Sequence, residues 1–251
     1  MSRKPNAKQV KPAVKKVAPV LSLDLKEIEA KTDNQERALT YYDQNRNLIM
    51  YGQAGTGKTY LACFMALNDL LYTDGRYKKV VIVRSIVSTR DMGFMPGNLT
   101  EKSSYYEAPY YGIFADLFGR GDAYEILKSR GMVEFTTTSF LRGNTFDNCI
   151  LIFDEAQNTT DHECNTLITR MGENSKIIIC GDSKQCDLNT RKSEESGFMK
   201  LVTIARKMNR FNTVEFTIDD IVRSAFIKEY LIQRNIYETG ISRGNYGVIE
   251  G

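Results

Sequence analysis

Five short runs along the chain have strand character: 47–51 (NLIMY), 79–83 (KVVIV), 132–136 (MVEFT), 149–153 (CILIF) and 176–180 (KIIIC). A sixth, 213–217 (TVEFT), follows them. The central runs are apolar on successive residues instead of alternating, the pattern of strands buried on both faces in a parallel sheet covered by helices. Between the runs, apolar positions recur at helical spacing over 58–72, 162–171, 195–207 and 221–237. Strand–helix alternation of this kind predicts an α/β fold with a mostly parallel sheet flanked by helices. Order is expected to begin near Leu21, and Thr32-Asp33-Asn34 caps a helix running through Tyr42, with acids in its first turn. The stretch 85–130 breaks the rhythm. It holds Gly93, Pro96-Gly97, Pro109 and the tyrosines Tyr105, Tyr106, Tyr110 and Tyr111, and it reads as an insertion with helices near 109–119 and 122–130.

Composition narrows the chemistry. A single histidine, His162, leaves no basis for Ser-His-Asp catalysis or a histidine-built metal site. Five cysteines without a CxxC pair argue against both a disulfide scaffold and a tetrahedral zinc site. No apolar run approaches the roughly 20 residues that span a bilayer, and the N-terminus lacks a signal-peptide apolar core, so a reducing cytoplasm is expected. The net charge of +3 is unevenly placed: residues 1–20 carry Arg3, Lys4, Lys8, Lys11, Lys15 and Lys16 with no acid, which leaves −3 on the remainder. With three prolines and few large apolar residues, 1–20 reads as a disordered basic tail, either merely solvated or a tether for nucleic-acid phosphates, ahead of one domain over 21–251.

Residues 52–59 read GQAGTGKT, a full match to G-x-x-x-x-G-K-[ST], between a predicted strand and a predicted helix as that motif requires. Its glycines, Gly52, Gly55 and Gly57, let the backbone curl so that the N–H groups of the loop through Gln53, Ala54 and Thr56 point inward. The helix N-terminus behind them favours polyphosphate, Lys58 supplies a charge to the β- and γ-phosphates, and the Thr59 hydroxyl suits Mg²⁺. A second element, ILIFDE at 150–155, puts two acids at the carboxyl end of a buried strand, where open α/β sheets bind ligands. Asp154 is placed to hold Mg²⁺ through water and Glu155 to deprotonate the attacking water. A third strand ends in Gly181-Asp182, with Gln185 in the following loop. Asp182 suits either the ligand or a cap or turn.

Thr56-Gly57-Lys58-Thr59-Tyr60-Leu61-Ala62, Asp154-Glu155-Ala156-Gln157-Asn158-Thr159 and Gly181-Asp182-x-x-Gln185 together resemble the PhoH family, P-loop ATPases similar to the first RecA-like lobe of superfamily 1 helicases. Gly93-Phe94-Met95-Pro96-Gly97-Asn98-Leu99, Phe140-Leu141-Arg142-Gly143-Asn144-Thr145-Phe146 and Asp220-Ile221-Val222-Arg223 resemble further family segments. The similarity covers roughly 30–240. Departures are Ser85 after Arg84, Asn144 in place of a second arginine, and Ser224 after Arg223. The short form is similar to PhoH-like proteins carried by bacteriophages, which would put the chain in a host cytoplasm, and to the lone ATPase domain of bacterial ones.

The resemblance implies a RecA-like P-loop NTPase fold and Mg²⁺-dependent ATP hydrolysis. It makes Gln35 the amide that reads the adenine edge and places Tyr60 and Asp182 in the nucleotide site. Gln185 then senses the γ-phosphate, and Arg223 is the foremost arginine finger, with Arg142 and Arg84 in reserve. A chain with one lobe needs a second from a neighbour, so a homo-oligomer, a hexameric ring above all, is expected, with Arg223 acting across the interface. RNA or single-stranded DNA is the expected partner. The four tyrosines suit either base stacking at a pore or packing. The alternative is a non-motor ATP switch that controls a partner such as a ribonuclease. A small-molecule kinase fits less well, because Glu155 would promote attack by water.

Overall fold

The computed structural model describes residues 9–10, 23–73, 75–85, 99–141, 143, 145–182 and 197–239. Its main sheet is built from β3 (Asn47–Gly52), β4 (Lys79–Arg84), β5 (Val133–Thr137), β6 (Cys149–Asp154), β7 (Lys176–Gly181) and β8 (Phe211–Phe216). The spatial order is β5-β4-β6-β7-β3-β8, and every neighbouring pair is parallel. Parallel pairing demands crossovers. These are α2 (Lys58–Tyr72) between β3 and β4, α5 (Asp161–Ile168) between β6 and β7, and α6 (Gly197–Ala205) between β7 and β8. The insertion forms α3 (Leu99–Phe118) and α4 (Ala123–Ser129) ahead of β5. Helix α1 (Asp33–Asp43) precedes the sheet, and α7 (Ala225–Thr239) follows it.

Alternate residues of each strand feed two cores. Leu48, Met50, Val80, Ile82, Ile150, Ile152 and Ile178 face the helices α1 to α4. Ile49, Val81, Val83, Leu151, Phe153, Ile177 and Ile179 face α5 and α6. Burial on both faces is why these runs lack polar alternation. A charged residue buried in the sheet is Lys176 at the start of β7. Its Nζ donates to the Tyr42 carbonyl at 2.9 Å, lies 3.5 Å from Asp69 Oδ2 and sits over the Tyr42 ring. Burial lowers its pKa to about 8 against the pull of Asp69.

The expected strands and α2 fall within two residues of their places, and the 221–237 helix begins later, at Ala225. The insertion departs from expectation. Its first helix begins at Leu99, ten residues before 109, and runs straight through Pro109. A proline inside a helix removes one backbone donor. Tyr110, Phe114 and Leu117, all fully buried, hold the helix against the core immediately after that fault. Of the expected basic tail, only Gln9–Val10 is described, as a two-residue strand β1 paired antiparallel with β2 (Ile28–Glu29). The rest of 1–20 lies outside the described residues.

Strand order positions the site. Because β7 lies between β3 and β6, the carboxyl ends of β6, β7 and β3 present Asp154, Asp182 and the glycine-rich loop side by side.

Candidate active site

The loop after β3 is shaped by backbone rather than side chains. Gly52 has φ +113°, and a Cβ there would run into the Phe216 carbonyl oxygen. That oxygen accepts the Gln53 N–H at 2.9 Å, so β8 pins the start of the loop. Gly57, at φ +85°, occupies the left-handed N-cap position of α2. The Lys58 ammonium folds back over the loop and donates to the carbonyls of Gly52 (3.0 Å) and Gln53 (2.7 Å). Burial lowers its pKa, and the Asp182 carboxylate is the foremost influence raising it. An ammonium destabilised in this way gains most from an incoming anion.

A cavity of about 710 Å³ opens above the loop. Ala54, Gly55, Thr56, Gly57, Lys58, Thr59 and Tyr60 line one side, and Asp154, Glu155, Gln157 and Asp182 line the facing wall. Gly52 and Gln53 stand behind this lining, where their carbonyls hold Lys58. The Thr59 hydroxyl donates to Asp154 Oδ1 at 2.9 Å, across 95 residues of chain. Two hard oxygen donors on facing elements suit Mg²⁺, which takes one or two protein oxygens and completes its shell with water and phosphate.

Glu155 adopts the left-handed region, φ 54° and ψ 38°, which costs a non-glycine residue about 1–3 kcal/mol. The turn ends β6 and hands the chain to a 3-10 turn over Ala156–Asn158. Burial raises the Glu155 pKa, with the neighbouring Asp154 charge adding to it. Its carboxylate accepts from Gln157 Nε2 at 2.6 Å and lies 3.5 Å from Arg84 Nη2. Gln157 Oε1 in turn accepts the Asp182 N–H at 2.9 Å. One buried amide therefore ties the end of β6 to the end of β7. Sequence reasoning assigned Gln157 no role of its own, although it stands three residues after Asp154 in the quoted motif.

Gln35 is buried. Its Nε2 donates to the Thr56 carbonyl at 2.9 Å, and its Oε1 accepts the Lys31 N–H at 2.8 Å. The amide lines the cavity and also clamps the loop. Arg223 lies against Gly55, and the preceding Val222 N–H donates to the Gly55 carbonyl at 3.1 Å. That bond holds the backbone beside Arg223 against the loop, and Arg223 itself is exposed at the edge of the cavity. Arg84 meets Glu155 in the same chain, with Nη2 3.5 Å from Oε1. Gln185 and Arg142 lie outside the described residues.

The tyrosine cluster divides. Tyr110 is fully buried and donates to Asp154 Oδ2 at 2.7 Å, so of the two alternatives it takes packing. Tyr111 packs on Tyr124 with ring centroids 4.5 Å apart. Tyr105 is 61% exposed, so it is the one of the four left mostly open to solvent.

A parallel sheet with a strand–glycine loop–helix turn feeding a facing carboxylate strand defines a P-loop NTPase fold. The chain belongs to the PhoH family: the profile of the PhoH-like protein matches residues 27–235. It is 35% identical to a PhoH-like protein of Bacillus subtilis over 82% of this chain and 63% of that protein. It is 33% identical to a PhoH-like protein of Mycobacterium tuberculosis over 90% of this chain and 65% of that one. The chain thus spans less than two thirds of the length of these relatives. Among solved structures, the large terminase of a thermophilic bacteriophage aligns with a TM-score of 0.46 at 13% identity, over 81% of this chain and 50% of that one. Bacteroides Pif1 in complex with ADP-AlF4 aligns at 0.39 and 17%, over 84% and 47%.

Proposed function

We propose that the protein is a Mg²⁺-dependent ATPase that works as a homo-oligomer, a hexameric ring in the simplest case, in the cytoplasm. Its turnover is coupled to binding and remodelling or unwinding of RNA or single-stranded DNA. The observation that carries the reading is the approach of Thr59 Oγ1 to Asp154 Oδ1 at 2.9 Å, beneath Lys58 and beside Glu155. Thr59 and Asp154 hold the metal, and Mg²⁺ when bound neutralises charge on the β- and γ-phosphates. The loop N–H groups and Lys58 bind the polyphosphate, and Asp182 borders it. Gln35 and Tyr60 line the base end of the cavity. Glu155 holds the attacking water and takes its proton, and its raised pKa makes it a better acceptor than an exposed carboxylate. Gln185 reports the γ-phosphate state.

Arg223 acts on charge that develops in the transition state, in its own site or across a subunit interface. Arg223→Ala is expected to lower turnover by roughly 10³-fold or more while ATP affinity changes little. The check is kcat beside the Kd of a non-hydrolysable analogue. Mixing Arg223→Ala with Glu155→Gln subunits separates the two arrangements, since recovery of activity requires an arginine acting across an interface. Self-association is supported by α7, where Phe226 is 78% exposed and Tyr237 is 90% exposed.

The nucleic-acid half of the reading is tested by ATPase rate with and without single-stranded RNA and DNA at two salt concentrations. Stimulation that fades at high salt is expected, because phosphate contacts release counterions. The second reading, a nucleotide switch for a partner such as a ribonuclease, draws on the net −3 charge of residues 21–251. Absence of stimulation by either nucleic acid would select it.

A further inference from the structure

Asp154 is 3% exposed, and each of its oxygens has its own partner. Oδ1 faces the Thr59 hydroxyl, and Oδ2 accepts from Tyr110 at 2.7 Å. The Tyr110 hydroxyl is delivered by a helix of the insertion, 44 residues away in the chain. Its ring is fully buried and packs on Phe135 with centroids 5.7 Å apart, so packing sets where the hydroxyl points. The same helix is linked to the second acid through Arg84. One turn earlier, the Tyr106 carbonyl accepts from Arg84 Nη1 at 3.4 Å, and Arg84 Nη2 lies 3.5 Å from Glu155. Positions four apart on a helix are neighbours, so a single turn of α3 touches Asp154 directly and reaches Glu155 through Arg84.

We propose that Tyr110 is the positioning residue of the metal-holding acid. By occupying Oδ2 it stops the carboxylate from rotating and presents Oδ1 to the space beside Thr59. The insertion helix thereby sets how tightly the site takes Mg²⁺. The inference rests on the reading of Asp154 as the metal-holding acid. Loss of the hydroxyl leaves a buried carboxylate oxygen without its donor, and the group turns to find another. A tyrosine that merely fills the core would contribute only its ring and its own satisfied hydroxyl, so removal of the hydroxyl would lower stability and leave metal binding alone.

The experiment titrates Mg²⁺ into the full chain and follows binding of a non-hydrolysable ATP analogue by calorimetry. In Tyr110→Phe the Mg²⁺ concentration for half-maximal tightening is expected to rise roughly 10- to 100-fold, the usual cost of losing an outer-shell partner. Affinity measured in excess chelator is expected to stay at the wild-type value, because the loop and Lys58 are untouched. Mn²⁺ binding followed by electron paramagnetic resonance gives the same comparison without hydrolysis. Tyr124→Phe is the control: it removes another fully buried hydroxyl, one that donates to Glu107 at 2.7 Å and not to Asp154. Its Mg²⁺ curve is expected to match wild type. An unshifted curve for Tyr110→Phe, or an equal shift for Tyr124→Phe, overturns the proposal. Should Tyr110→Phe fail to fold, the wild-type chain with ¹³Cζ-labelled tyrosine at 110 decides. Its resonance is expected to move when Mg²⁺ is added to the nucleotide complex, and an unmoved resonance overturns the proposal. If the wild-type chain shows no tightening with Mg²⁺ at all, the proposed function fails first and this assignment falls with it.

Discussion

Lys58→Ala is expected to abolish detectable ATP binding at concentrations that just saturate the wild-type protein. The lysine ends the glycine-rich loop, and its ammonium is held by the carbonyls of Gly52 and Gln53, which on their own would repel a phosphate. Burial already disfavours the charged form, so the folded protein has invested in an ammonium that only an anion can fully satisfy. Removing one partner of a buried ion pair costs about 3–5 kcal/mol. At about 1.4 kcal/mol per tenfold, that weakens binding by roughly 10²- to 10³-fold or more. Calorimetry or a fluorescent ATP analogue reads this directly. The variant is expected to melt near the wild-type temperature, since alanine suits the first turn of α2 and no core contact is lost. A Kd within a few-fold of wild type would mean that polyphosphate does not lie over this loop.

The parts of this site that follow local rules were readable before any coordinates. Helix α2 falls on its expected residues because its apolar spacing is bounded by Gly57, a left-handed N-cap, and by Thr73, which returns to extended backbone. The loop was readable because three glycines and a lysine at fixed offsets have few other uses. The approach of Thr59 to Asp154 was readable because Asp154 sits at a strand's carboxyl end and Thr59 opens the helix that follows another, and the topology brings those ends together. Other features depend on which neighbour a side chain meets. Tyr110 stands among similar tyrosines, and nothing in the order of residues separates a buried hydroxyl aimed at Asp154 from an exposed ring such as Tyr105. Pro109 reads as a break, and only the burial of Tyr110, Phe114 and Leu117 shows why α3 continues through it. Arg223 follows a segment whose backbone bond to Gly55 spans more than 160 residues of chain, so its place beside the loop has no local signature. Gln35 was expected to read a base, and its hold on the Thr56 carbonyl adds a second task that amide chemistry alone does not reveal.

Glu155→Gln is expected to separate binding from chemistry: ATP affinity near wild type, with hydrolysis slowed by roughly 10²- to 10⁴-fold, the usual contribution of a positioned general base. The amide keeps the size of the side chain and can still offer Gln157 an oxygen, so the bridge to Asp182 survives. What is lost is the carboxylate that burial and Asp154 have made a stronger proton acceptor. The ion pair with Arg84, long at 3.5 Å and with Glu155 38% exposed, contributes little by comparison. Single-turnover hydrolysis of labelled ATP gives the chemical step free of product release. Retention of labelled ATP on the variant shows that binding is intact. A rate within tenfold of wild type would move the base elsewhere, and Asp182 is the alternative, since it is buried on the same wall of the cavity at the end of the adjacent strand. Asp182→Asn would then show the large loss, whereas under the present assignment it alters nucleotide affinity more than the chemical step.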